Sequence, residues 1–165
     1  MNIESPNKAK REEKQNEISH LKNQFAVLTL HRYFIWANRM RTHFDECFKE
    51  ENKSKPGNDI EQLMYMSLWY AGLYVVCAGW EKLGLTDSVI DNLIASKNLE
   101  LLKIYRHGVY HFHKEYYGKC FDKLISQGEN VVEWVRTLNR EFGRYFLEWA
   151  NQRNKTQEII KEATP

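Results

Sequence analysis

The stretch DIEQLMYMSLWYAGLYVVCAGWEKLG, residues 59–84, decides the fold class of this chain. Apolar residues cover nearly every side of the helix that it would form, so the stretch predicts a buried central helix. Asp59 followed by Gln62 has the pattern of a capping box at a helix start, and Gly84 is typical of the residue that ends a helix. The stretch approaches membrane-spanning length, but Ser67 and two glycines interrupt its densest part, which favours a core helix.

Helical periodicity also precedes the central helix. Apolar residues recur every three to four positions from about residue 18 to residue 48, which predicts one long amphipathic helix. The apolar positions of this helix are Ile18, Leu21, Phe25, Leu28, Ile35 or Trp36, Met40 and Phe44. The polar segment 50–58 contains Pro56 and Gly57 and is expected to be a loop.

Four further helices are expected after the central one. They cover about residues 87–94, 99–113, 119–126 and 129–151. Thr86 or Asp87 can cap the first of them, and Ser96 or Asn98 can cap the second. The apolar face of the last helix consists of Val131, Val135, Leu138, Phe142, Tyr145 and Trp149. Because no strand-like alternation is visible, the expected fold is all-α, an antiparallel bundle of four to five main helices.

Composition is that of one globular domain. The chain has 165 residues, of which 42% are hydrophobic and 28% charged, a composition too apolar for a disordered protein. Its length is enough for a hydrophobic core that needs no disulfide or bound metal. Eight glycines and three prolines are few for this length and favour helix. We expect a single bundle domain at residues 17–152, after a polar and frayed lead-in at 1–16 and before a polar tail at 153–165.

Charge and cysteine content exclude several classes of protein. A net charge of +2 argues against extensive nonspecific binding of duplex nucleic acid, although a small local RNA site is compatible with it. Cys47, Cys77 and Cys120 are odd in number and widely spaced, which argues against a disulfide framework and a zinc ribbon. No apolar run at the N-terminus resembles a signal peptide. The expected location is a reducing cytoplasm.

The chemistry-bearing motif is Arg106-His107-Gly108-Val109-Tyr110-His111, on a predicted helix. Histidine exchanges protons near neutral pH, and the arginine fork of donors can stabilise charge on phosphoryl oxygens. Both are needed to cleave RNA through its 2′-hydroxyl. On a helix the two residues differ by about 140° of rotation, so only the long arginine side chain could reach the imidazole. Gly108 is unfavourable in a helix by about 1 kcal/mol relative to alanine, which indicates a close approach to another helix or to a dimer mate.

The motif and its surroundings resemble the HEPN family of ribonucleases and related proteins. The likeness runs from about Gln62 to Trp149 and includes the segments LWYAGLYVV (68–76), YRHGVYHF (105–112) and EWV (133–135). It implies a dimer with two Arg–His pairs in one cleft and metal-independent RNA cleavage in the active members. In that interpretation His111 moves the proton and Arg106 holds the phosphate, with His107, Tyr110 and His113 in supporting roles. His107 stands where the family often has Asn, and His113 where some members have Tyr.

Two other interpretations of the motif stay open. The same bundle can be a dimeric scaffold without catalytic activity that binds a partner protein or a nucleotide. His107 and His111, four residues apart, can also be two metal ligands, but no thiolate or second carboxylate accompanies them at a recognisable spacing.

The ribonuclease hypothesis carries expectations about partners and about the remaining rings. Expected partners are a second copy of the chain, RNA, and a cognate antitoxin or operon partner, as in toxin or phage-defence systems; no cofactor, metal or membrane is expected. The rings of the central helix, Trp69, Tyr70, Tyr74 and Trp80, are expected to be core residues and not a base-stacking platform. The histidines expected to be solvated are His20, His31 and His43.

Overall fold

The computed structural model describes residues 6–114 and 118–163, without the side chains of residues 6–13, 17, 20 and 156–163. Within these ranges the chain forms helices and no strand. The helices are α1 (Pro6–Glu46), α2 (Glu50–Lys53), α3 (Asn58–Leu83), α4 (Ser88–Ile94), α5 (Asn98–Tyr110), α6 (Lys119–Gln127) and α7 (Val131–Ala163). The prediction of an all-α helical bundle is confirmed.

α3 is the central helix, as predicted. Trp69, Leu73, Val76 and Trp80 are fully buried along it, so the rings of this helix belong to the core. Tyr70 is also buried, and Tyr74 packs against the core from a half-buried position. The length and hydropathy of α3 would also allow it to cross a membrane. That is weak evidence for a span, because core helices of soluble proteins have the same length and hydropathy.

The two ends of α3 differ in how well the sequence predicted them. Gly84 ends the helix with φ 60°, and its N–H donates to the carbonyl of Glu81, so the predicted glycine cap is confirmed. The capping box at Asp59 is wrong. The helix begins one residue earlier, at Asn58, after Gly57 with φ 81°, and no side chain caps it. The left-handed backbone that Gly57 adopts without steric cost sets this helix start.

α1 buries a different face from the one that its apolar periodicity indicated. The buried positions are Val27, Leu30, Phe34 and Ala37, with Met40 and Phe44 packed against the core. The apolar positions Ile18, Leu21, Phe25, Ile35 and Trp36 are exposed. The bundle therefore leaves an apolar stripe of α1 uncovered. α1 also begins at Pro6, well before the expected start, and ends at Glu46.

α4 and α7 complete the core. Asp87 caps α4, because its side chain accepts hydrogen bonds from the backbone N–H groups of Val89 and Ile90 at 3.1 Å. The predicted apolar face of α7 is buried or packed against the core along its whole length. Helix α7 continues to Ala163, so the helical segment is longer than the predicted 129–151.

α5 and α6 form the part of the bundle that positions the motif. The side chain of Asn98, at the start of α5, is buried and clamps this end to the linker before α7. It donates to the carbonyl of Glu129 at 2.8 Å and accepts from the N–H of the same residue at 3.0 Å. A β-carbon at Gly108 would lie 2.8 Å from that of Cys120 on α6. The close approach expected at Gly108 is therefore to another helix of the same chain.

Candidate functional site

The motif lies at the end of α5, and the helix stops inside it. α5 ends at Tyr110, not at the predicted His113. His111 has an extended backbone (φ −121°, ψ 137°), although its N–H still donates to the carbonyl of His107 at 3.1 Å. Gly108 weakens this last turn, which favours an early end. The angle between Arg106 and His111 is therefore not the helical one that the sequence suggested.

Three histidines cluster where α5 ends. The ring centroids of His107 and His111 are 4.2 Å apart, and those of His107 and His113 are 5.8 Å apart. His107 and His111 are exposed to solvent. His113 is half-buried, and its Nε2 is buried without a hydrogen-bond partner among the described residues. This cluster presents two imidazoles to a ligand arriving from solvent.

Arg106 lines a groove that α1, α3 and α5 form. Its guanidinium carbon lies 5.5 Å from the centre of the Tyr110 ring. Its Nε is buried and has no hydrogen-bond partner within the described parts of the chain. In the same parts, no contact joins Arg106 to His111.

The groove beside Arg106, which we call the α5 groove, has a volume of about 600 Å³. Its lining is Tyr33, Trp36, Ala37, Arg39, Met40, Leu68, Gly72, Val75, Arg106 and Tyr110. Two arginines and no acidic residue line a surface that is otherwise aromatic or aliphatic. Gly72 lets α3 approach α1 closely beside the groove, since a β-carbon there would lie 3.1 Å from that of Ala37. Trp36 is exposed and lines this groove. The sequence analysis assigned it to the apolar face of α1 and therefore did not predict the groove.

Tyr105 fixes the register of α5 against α3. It is buried, and its hydroxyl lies 3.1 Å from the hydroxyl of Ser67. Burial raises the pKa of Tyr105, so the phenol stays neutral at physiological pH. Its ring packs edge-on against Phe121 of α6, with centroids 5.2 Å apart. These contacts hold the neighbouring Arg106 at the groove.

The other histidines are less solvated than expected. His31 stacks on Phe146 with centroids 4.9 Å apart, and burial lowers its pKa. His43 stacks on Tyr65 at 5.1 Å and lies near Glu46. The side chain of His20 lies outside the described residues. Within the described parts, no group of three or more His, Cys, Asp or Glu side chains is arranged to hold a metal ion.

Comparisons with known proteins give no family for the chain. No family model, no curated protein and no solved structure matches it. The likeness to the HEPN family therefore rests on the residues of the motif and their surroundings, and it stays a prediction.

Proposed function

We propose that this protein is a metal-independent endoribonuclease of HEPN type, acting in the cytoplasm, in a toxin or phage-defence role. The observation that supports the proposal is the pair of exposed imidazoles at 4.2 Å, the first of which directly follows an arginine whose Nε has no partner among the described residues. Proton transfer and charge stabilisation are the two functions that cleavage at a 2′-hydroxyl requires from a protein.

Each motif residue has a role in this proposal. His111, on extended backbone at the helix end, takes the proton of the 2′-hydroxyl as its oxygen bonds to phosphorus, and then gives that proton to the 5′-oxygen whose bond to phosphorus breaks. His107 packs against it and orients its ring. Arg106 binds the non-bridging oxygens of the phosphate through charge-assisted hydrogen bonds. The ring of Tyr110 holds the guanidinium of Arg106 by a cation–π contact. His113 supports the cluster of histidine rings.

A second copy of the chain completes the site. Since Arg106 and His111 share no hydrogen bond or ring contact among the described residues of one chain, we propose a two-fold dimer in which both pairs lie near the axis. Exposed apolar side chains around the motif support such an interface. Phe112 is 92% exposed, Trp36 is 54% exposed and Tyr110 is 53% exposed. Apolar surface of this kind near a functional motif is typical of a protein–protein contact.

The dimer can be tested by sedimentation. At micromolar concentration we expect a species of twice the 19.8 kDa chain mass. Replacing Phe112 by Ser should shift the equilibrium toward the monomer, because it removes apolar area from the proposed interface. Val132→Ser on α7 is the control, an exposed apolar residue outside the motif. A parent chain that sediments only as a monomer contradicts the dimer.

The second candidate function is a dimeric scaffold without catalytic activity. The observation that favours it is the α5 groove, whose lining is far more apolar than a site for RNA alone requires. In this alternative the groove binds a partner protein, such as a cognate antitoxin or operon partner, or a nucleotide. Arg106 then pairs with a negative charge of that partner.

A cleavage assay separates the two candidates. With single-stranded RNA we expect cleavage that persists in EDTA and leaves a 2′,3′-cyclic phosphate. DNA of the same sequence should stay intact, because it lacks the attacking hydroxyl. Complete loss of cleavage in EDTA would contradict the metal-independent mechanism, and cleavage of DNA would contradict attack by the 2′-hydroxyl. Intact RNA in every condition favours the scaffold.

A further inference from the structure

A second cavity, between α1 and α7, has the features of an anion site. It has a volume of about 540 Å³ and shares no lining residue with the α5 groove. Three arginines line it: Arg41, Arg136 and Arg140. No acidic side chain is among its lining residues, and we call it the arginine pocket. Cationic walls without a facing carboxylate attract an anion.

The carboxylate of Asp45, which does not line the pocket, binds two of the arginines. Asp45 accepts a hydrogen bond from Arg41 through one oxygen and from Arg136, at 2.7 Å, through the other. Arg136 also lies over the ring of the buried Trp69, 5.5 Å from its centre. One negative charge thus orients two guanidinium groups, each of which retains N–H groups without a partner among the described residues. Such a pair is pre-organised and carries an excess positive charge.

Arg140 adds a third cation, one turn after Arg136 on α7. It is exposed, and its contact with Glu141 is a single one of 3.3 Å. Glu141 also accepts a shorter hydrogen bond, 2.8 Å, from Arg144. The charge of Arg140 is therefore only weakly compensated and is available to a ligand.

The floor of the pocket offers a further donor. Asn139 is buried, with 4% of its surface exposed, and accepts a hydrogen bond from the indole N–H of Trp69 at 2.9 Å. Its amide N–H donates to Oδ1 of Asn38 at 2.9 Å, and the same oxygen accepts from Arg41 at 2.9 Å. Asn38 is itself a lining residue, and its NH₂ group has no hydrogen-bond partner among the described residues, so it is available to a ligand. Donors converge on the cavity from both helices.

We propose that the arginine pocket binds the phosphate group of a nucleotide, either free or within an RNA chain. Several guanidinium forks match the oxygens of a phosphate, and the amide of Asn38 supplies one more hydrogen bond. Phe34 and Leu147 provide an apolar wall beside the cations, against which a sugar or base packs. The proposal does not depend on the ribonuclease proposal, since it uses neither α5 nor the histidines.

Calorimetric titration with inorganic phosphate, AMP and a single-stranded RNA oligonucleotide tests the site in the full chain. Arg140→Gln is the first variant, because an exposed side chain contributes little to folding. It should weaken binding about tenfold, as the loss of one charge-assisted hydrogen bond does. Arg41→Gln with Arg140→Gln should abolish measurable binding, with an unchanged helical spectrum as the check on folding. Arg153→Gln, the same change on α7 outside the pocket, should leave affinity unchanged.

Each outcome of the titration either supports the phosphate site or overturns it. Binding of AMP and RNA that is weakened by Arg140→Gln but not by Arg153→Gln supports a nucleotide site. Binding of RNA alone with the same pattern supports a phosphate of the RNA backbone. Absence of binding to all three probes at millimolar concentration overturns the proposal. Equal loss in Arg140→Gln and Arg153→Gln also overturns it, because general electrostatic attraction would then explain the binding.

Discussion

Replacing His111 by alanine is expected to slow RNA cleavage by about 10²-fold or more, since positioned acid–base groups typically contribute 10²–10⁴. The side chain is exposed and lies beyond the end of α5, so its loss removes little packing. The rate constant kcat should fall while KM changes little, because the imidazole moves a proton and does not hold the substrate. The measurement is single-turnover cleavage of a labelled single-stranded RNA.

Arg106→Ala should cost a comparable factor through a different step. The guanidinium stabilises charge on the phosphate in the transition state, and its removal should also raise KM if it binds the ground state. Arg106 contributes a cation–π contact with Tyr110 but no hydrogen bond among the described residues, so the fold should remain. Circular dichroism checks this point.

His43→Ala is the matched control for both variants. His43 stacks on Tyr65 of α3, far along the chain from the motif, and the exchange removes the same imidazole. It should leave cleavage unchanged. If His111→Ala and Arg106→Ala both cleave as fast as the parent chain, the nuclease is a contaminant. That result contradicts the ribonuclease proposal and favours the scaffold without catalytic activity.

Several local signals in the sequence predicted helices or helix ends correctly, although the capping box at Asp59 was wrong. α3 is apolar on nearly every side, Gly84 adopts the left-handed cap, and Asp87 caps α4 with its carboxylate. Each of these depends on residues close together in the chain. The face of α1 depends instead on which helices pack against it, and several apolar faces of this helix were available. Val27, Leu30 and Phe34 are buried, whereas Phe25 and Trp36 are exposed.

The candidate site was predictable as a set of residues but not as a geometry. The motif identified Arg106, His107 and His111, and the structure places the two histidines in contact. Helical periodicity could not indicate that α5 ends at Tyr110. The direction of the His111 side chain could therefore not be predicted from the sequence. The arginine pocket combines residues about a hundred positions apart, such as Asn38 and Asn139, and no spacing in the sequence reveals such a pair.

The second large effect is expected at Trp69, the point where the core meets the arginine pocket. Trp69→Ala should lower the free energy of unfolding by about 3–5 kcal/mol, the usual cost of deleting a buried aromatic side chain. The ring is fully buried between Phe44 and Tyr70, and its N–H donates to Asn139. Its loss leaves a cavity and removes the hydrogen bond that fixes the buried amide. Guanidinium-induced unfolding measures the change.

Phe25→Ala provides the comparison, because it deletes an aromatic side chain from an exposed position on α1. We expect a change of only about 0.5 kcal/mol, as for most surface substitutions. Trp69→Phe separates the two parts of the Trp69 effect: it keeps most of the apolar volume but leaves Asn139 without its donor, so it should cost about 1–3 kcal/mol. If Trp69→Ala and Phe25→Ala shift the unfolding midpoint equally, Trp69 does not hold the core together. Arg136, which lies over its ring, would then lack the rigid base on which the phosphate site depends.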